Sequence, residues 1–171
     1  MLKHLALVLT GVMILPAFAT ADIKMGVILG FTGPIESLTP DMGGSAEVAF
    51  KEASDSGLLL GGQKIVSVRA DSTCIDNAAA TAAAERLVTA EKVAGIMGAD
   101  CSGVTTAVAN NVAVPNGVPM ISPSATSPAL TTIADNGYFF RTAPSDARQG
   151  QVLASITCLL YTSDAADDVV R

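Results

Sequence analysis

Tryptophan is absent from this chain of 171 residues, histidine occurs once, at His4, and aromatic residues make up 4% of it. Beyond position 4 the commonest general base and metal ligand is therefore missing. No nucleophile has an evident base and no paired carboxylates stand at a strand end, so the chain reads as non-enzymatic, with neither metal nor cofactor indicated. Runs of one charge are missing too. Ten basic and 16 acidic residues are scattered to a net charge of −6, a balance that attracts neither nucleic acid nor an anionic membrane surface.

Both ends stand apart from the middle. Lys3 and His4 precede an apolar run from Leu5 to Leu15, Pro16 interrupts it, and Ala19-Thr20-Ala21 offers small residues to a signal peptidase. Residues 1–21 are expected to be a leader cleaved before Asp22, because a spanning helix needs roughly 20 apolar residues. Asp22 and not a cysteine stands directly after the cleavage point, so no lipid anchor is expected, and once the short apolar run is removed no direct insertion in a membrane is expected either. At the other end, Cys158 to Asp167 reads like one translated frame of the transposase adaptor used in short-read library preparation. Residues 158–171 are accordingly expected to be non-native, the alternative being a natural helix that ends in an acidic loop.

Residues 22–157 suffice for one domain with a sizeable core. Ile23–Leu29 is a β-branched run bounded by Gly30 and Gly33-Pro34, which predicts a buried strand. A helix follows from Met42 to Ser56, and Lys64–Ala70 alternates as a second strand. Asp76 caps an alanine-rich helix over Asn77–Lys92. Val93–Met97 is a third strand, Ser102–Val114 a helix with Ser102 as its cap candidate, and Val118–Ser122 a fourth strand ended by Pro123. Tyr138–Thr142 is strand-like, and a helix begins at Asp146. Such alternation predicts an α/β fold, a parallel sheet with helices on both faces.

In such sheets ligands bind beyond the carboxyl ends of strands, where helix amino-termini present free N–H groups. Three loops qualify: Gly30–Glu36, Gly98–Thr105 and Ser122–Ser127. The last two carry the hydroxyls of Ser102, Ser124, Thr126 and Ser127, suited to a carboxylate or phosphate, though equally to capping and turns. Gly30-Phe31-Thr32-Gly33 is not the G-x-G-x-x-G of a dinucleotide site.

Asp22-Ile23-Lys24, Gly30-Phe31-Thr32-Gly33-Pro34, Ala70-Asp71-Ser72-Thr73-Cys74, Gly98-Ala99-Asp100-Cys101-Ser102 and Ile121-Ser122-Pro123-Ser124-Ala125-Thr126-Ser127-Pro128 follow in this order. The ordered set resembles the type I periplasmic binding proteins of ATP-driven (ABC) transporters, in particular the leucine-isoleucine-valine-binding family. That resemblance implies a periplasmic two-lobed clamp that closes on a free amino acid and hands it to a membrane permease. Family members are roughly twice as long, so it also implies that 22–157 is most of a first, Rossmann-like lobe and that the second lobe is missing. A ligand-sensing receptor domain of the same fold is the alternative.

A zwitterionic ligand defines the chemistry. By position in the matching motifs, Ser102 and Thr126 would give hydroxyls to the carboxylate, with backbone amides such as that of Ala125 alongside. The Ser124 carbonyl would accept from the ammonium, and the completing carboxylate would come from the other lobe. Two departures bear on the substrate. Leu38 stands where leucine-binding members carry an aromatic residue, and Asp100 where they carry an apolar one. Asp100 either lines the pocket, favouring a polar or cationic solute, or caps the following helix.

Discounting Cys158 leaves Cys74 and Cys101, each just after a strand, and the family's matching cysteines are bridged. A disulfide is expected there, beside Ser102. Two buried free thiols are the alternative, less suited to an oxidising compartment.

Overall fold

The computed structural model describes residues 21–59 and 62–168; the leader, but for Ala21, lies outside them. Strand β1 is Ile23–Leu29, as its apolar run predicts. Helix α1 spans Thr39–Asp55 and starts three residues ahead of the predicted Met42. Pro40 explains the difference, since in a first turn its missing N–H costs nothing and its fixed φ suits the helix. Strand β2 is Ile65–Asp71. Helix α2, Asn77–Glu85, is capped as expected, the Asp76 carboxylate accepting from the amides of Ala78 and Ala79 at 2.9 and 3.0 Å. A π turn over Arg86–Ala90 prolongs it.

Strand β3 is Gly95–Gly98, two residues later than predicted, because the amide of Val93 bonds back to the carbonyl of Leu87 and closes the helix end. Helix α3, Ser102–Val108, continues as a π turn over Ala109–Ala113. Strands β4, Met120–Ser122, and β5, Phe139–Arg141, are shorter than their apolar patterns. The amide of Val118 is spent on the carbonyl of Ala113, which delays β4. Between these two strands Pro128–Thr131 forms a 3₁₀ turn. Helix α4 runs from Asp146 to Asp168, so the adaptor-like residues continue it.

All five strands are parallel, in the order β2-β1-β3-β4-β5. Ile28, Ile96, Met120 and Phe139 share one face and pack with Ala80, Ala84 and Leu87 of α2 and its extension and with Val104 and Val108 of α3. Gly26 lies under Leu87, whose Cδ1 would stand 2.9 Å from any added Cβ. Burial of these side chains, about 25 cal/mol per Å² of apolar surface, is the main force on this side. Helix α1 covers the opposite face at β1 and β2. Glu47 there accepts from Arg69 at 2.7 and 2.8 Å and from Ser67 at 3.1 Å. The Arg69 hydrogen bond holds the Glu47 carboxyl below its ordinary value against a smaller opposing effect of burial.

Register places Val27, Met97, Ile121 and Phe140 in one row across this second face. Val27 is fully buried, but Ile121 is 41% and Phe140 55% exposed. No described helix covers the β4–β5 half.

Candidate functional site

The strand order reverses between β1 and β3, so their carboxyl ends bound the crevice in which open α/β sheets place ligands. The loops after β3 and β4 meet beside it. Ser102 is not the cap of α3; Cys101 holds that position, and no side chain makes a capping bond there. The Ser102 hydroxyl instead accepts from the amides of Thr126 and Ser127, at 3.2 and 3.1 Å. Both hydroxyl lone pairs are thereby engaged while its proton has no acceptor among the described residues, leaving one donor to offer.

Ser124 donates to the carbonyl of Asp100 at 2.9 Å, and no described donor reaches its own carbonyl. Ala125, buried, gives its amide to Ser122 Oγ at 3.1 Å, so that amide is already used. Thr126 donates its hydroxyl to Asp146 Oδ2 at 3.0 Å, and its carbonyl accepts from the Asp146 amide at 3.0 Å. The loop after β4 is thus tied to α3 on one side and to the start of α4 on the other.

Asp100 is 3% exposed. Its Oδ2 accepts from the amide of Gly30 at 2.7 Å, and its Oδ1 from Ser72 Oγ at 3.3 Å and from the amide of Cys101 at 2.9 Å. Gly30 and Ser72 follow strands and Cys101 is itself the cap position, so no bond reaches the second or third amide of α3, which corrects the helix-cap reading. Ser102, Ser124, Ala125, Thr126 and Asp100 therefore form one connected group. Leu38 does not join it: it heads α1, is 61% exposed, and shares no hydrogen bond with the others.

Cys74 and Cys101 are joined by a disulfide, with Cα atoms 5.2 Å apart. It fastens the loop after β2 to the residue before Ser102. Asp71 supports the same rim, accepting from the hydroxyl of Thr32 at 2.5 Å and from the amides of Thr73 and Thr32 at 2.8 and 3.3 Å. Burial is the largest single influence on this carboxyl and pushes its pKa up, but the hydrogen bonds together outweigh it and leave it below the ordinary value.

Arg141, on β5, was not singled out from the sequence. Its guanidinium donates to the carbonyls of Ser127 and Ala125, at 2.7 and 3.4 Å, and to Thr131 Oγ1. It braces the loop that carries Thr126. Ser122 does the same from beneath, donating to the carbonyl of Ala99 at 2.5 Å. An arginine at the end of an edge strand beside a Ser/Thr-rich loop was the available signal. Among the described residues no group of His, Cys, Asp and Glu could hold a metal ion. A concave depression lies elsewhere, between α1 and the start of β2, lined by residues including Glu47, Phe50, Lys64 and Ile65.

Comparison with known proteins agrees with this fold. Residues 22–157 match the family described as periplasmic binding protein. Leu/Ile/Val-binding protein homolog 7 of Brucella suis is 39% identical over 130 residues, covering 75% of this chain and 32% of that protein. An amino acid binding protein of Pseudomonas aeruginosa is 34% identical over 148 residues, 86% of this chain and 38% of its own. Among solved structures, the branched-chain amino acid transporter substrate-binding protein LivJ of Streptococcus pneumoniae, in complex with isoleucine, superposes with a TM-score of 0.64 at 33% identity. That match covers 73% of this chain and 34% of LivJ. A leucine-complexed ABC transporter substrate-binding protein of Desulfitobacterium hafniense gives 0.67 at 26% identity, over 80% and 38%. The chain spans about a third of the length of the relatives named first. It belongs to the periplasmic binding protein family.

Proposed function

We propose that the protein to which this chain belongs captures a free amino acid in the periplasm, a branched-chain one in the first instance, and delivers it to the permease of an ABC transporter. The observation that carries this reading is the state of Ser102. Two backbone amides occupy its lone pairs, so its remaining proton is a donor at the start of α3, and the loop after β4 that supplies those amides also carries the Ser124 carbonyl, which no described donor reaches. A donor and an acceptor on two loops that are bonded to each other suit the carboxylate and ammonium of one zwitterion. A charge-assisted hydrogen bond of this kind contributes roughly 1.5–3 kcal/mol. The relatives support the substrate class, since one is named as a Leu/Ile/Val-binding protein homolog and two solved neighbours hold isoleucine and leucine.

On this reading residues 22–157 are most of one lobe. The carboxylate that completes the ammonium site and the wall that meets the substrate side chain come from the rest of the polypeptide, residues 1–21 are a cleaved leader, and 158–171 are not native. The protein is a carrier, without catalytic chemistry. Among the described residues no helix is long and apolar enough to cross a membrane. Calorimetry on the full-length protein tests the reading. Free amino acids should bind, whereas their amides, which lack the carboxylate, and the corresponding decarboxylated amines should not; equal affinity for the amines would overturn it.

A further inference from the structure

The crevice between β1 and β3 is the place where an open sheet of this order receives a ligand's anionic group. Here it is already filled. The Asp100 carboxylate occupies it, 3% exposed, and takes the amide of Gly30 from the end of β1, the hydroxyl of Ser72 from the end of β2 and the amide of Cys101 after β3. The Asp100 carbonyl then takes the hydroxyl of Ser124 from the loop after β4. One residue thus joins the carboxyl ends of four neighbouring strands.

Space in the crevice is correspondingly tight. A Cβ added at Gly30 would lie 3.2 Å from Cys74 Cβ and 3.4 Å from Asp100 Oδ2. The carboxylate is therefore enclosed between the disulfide and β1 and does not present a free face to a substrate. A buried carboxylate is costly unless donors surround it, and three do. Its position is fixed by those donors, and with it the course of Cys101 and Ser102.

We infer that Asp100 is a positioning residue for ligand capture: it substitutes an internal carboxylate for a ligand anion in the β1–β3 crevice and sets Ser102 and Ser124 at the height where they meet the loop of Thr126 and Ser127. Asp100 acts through Ser102 and does not contact the solute. The substrate is consequently selected without reference to the Asp100 charge, and the presence of an aspartate at this position does not mark a cationic solute. This inference rests on the function proposed above for its affinity readout, but its structural readout is independent of it.

The asparagine variant keeps the shape of the side chain and turns one acceptor into a donor, facing the amide of Gly30 or of Cys101 with like against like. In the full-length protein, Asp100→Asn should speed hydrogen exchange at the amides of Thr126 and Ser127, which touch Ser102 and not Asp100. Val112→Ala, in the core on the π turn that continues α3, serves as a control of comparable stability loss and should leave those two amides as they were relative to the rest. Ser72→Ala, nearly isosteric, removes one donor and should shift them in the same direction by less, which keeps the test open if Asp100→Asn folds poorly. Leucine or isoleucine affinity should fall about tenfold in Asp100→Asn and by clearly less when the same change is made on Ser102→Ala, since coupled residues are not additive. Unchanged exchange at Thr126 and Ser127, or equal affinity losses in both backgrounds, would overturn the inference. A wild-type protein that binds no amino acid would instead overturn the proposed function, while the exchange comparison still decides the role of Asp100.

Discussion

Thr126 and Asp146 are joined twice, the hydroxyl of Thr126 donating to the Asp146 carboxylate and the Asp146 amide to the Thr126 carbonyl, both at 3.0 Å. The residue that would serve a ligand carboxylate therefore already serves an internal one at the first turn of α4. On the proposed reading a bound carboxylate would compete for the same proton, and Thr126 would couple ligand capture to α4. Replacing Thr126 by the isosteric valine removes the donor from both partners. Affinity of the full-length protein for its amino acid should drop roughly 10- to 100-fold, the worth of one charge-assisted bond, while Thr126→Ser restores it. A valine variant with altered stability but unaltered calorimetric affinity would confine Thr126 to holding α4.

The rim around Asp71 should respond to acid. Its carboxyl is held below the ordinary value of 3.8, burial opposing and the bonds from Thr32, Thr73 and Phe31 prevailing. A group with a depressed folded pKa contributes stability that is complete above its unfolded value and is lost as pH falls through the folded one. Between about pH 5 and about pH 3 the wild type should lose more stability than Asp71→Asn, which has no such charge to lose. Denaturant unfolding at the two pH values would show it, and parallel losses in both proteins would count against the assignment.

The strands, the helices and the Asp76 cap were legible because apolar periodicity and capping chemistry are local. The ends were less so. Leu87 and Ala113 accept amides that the run of apolar residues alone assigns to the following strands, and this trims β3 and β4. The loops at the carboxyl ends were also legible, since parallel topology dictates where ligands go. What the sequence could not show was how their polar groups divide among partners. Ser102 looks the same whether it caps α3 or accepts from Thr126 and Ser127, 24 and 25 residues away. The Asp100 carboxylate resembles a cap until Gly30, 70 residues earlier, is brought to 2.7 Å. Arg141 escaped notice for the same reason.

Opening the Cys74–Cys101 bridge should loosen both the fold and the site. Its 27-residue separation corresponds to about 3–4 kcal/mol of loop-closure entropy in the unfolded chain. The effect should not be uniform. Cys101 adjoins Ser102, and Cys74 packs against Gly30, so the loops at this end of the sheet should gain exchange ahead of α2 and the core. A paired Cys74→Ser and Cys101→Ser variant, compared by urea unfolding and hydrogen exchange, measures both. In a protein lacking Cys158, thiol titration under denaturing, non-reducing conditions should find no free thiol, and two would show that the bridge does not form.

The β4–β5 half of the second sheet face predicts how residues 22–157 behave alone. Ile121 and Phe140 stand side by side there, 41% and 55% exposed, next to a half-buried Met97. Adjacent exposed apolar residues on a sheet usually mark a surface that something else covers. The chain spans about a third of the length of its relatives, and on the proposed reading the remainder supplies that cover together with the other half of the ligand site. Isolated 22–157 should bind a hydrophobic dye such as ANS and should hold its amino acid no more tightly than about millimolar, because half the contacts are missing and the facing surface stays wet. Ile121→Asp makes the comparison quantitative. In the fragment the aspartate meets water and should change stability by less than about 0.5 kcal/mol, whereas in the full-length protein it would bury a charge and cost several times more. Equal effects in the two would show that this face is open in the whole protein as well, and micromolar binding by the fragment would show that one lobe is enough.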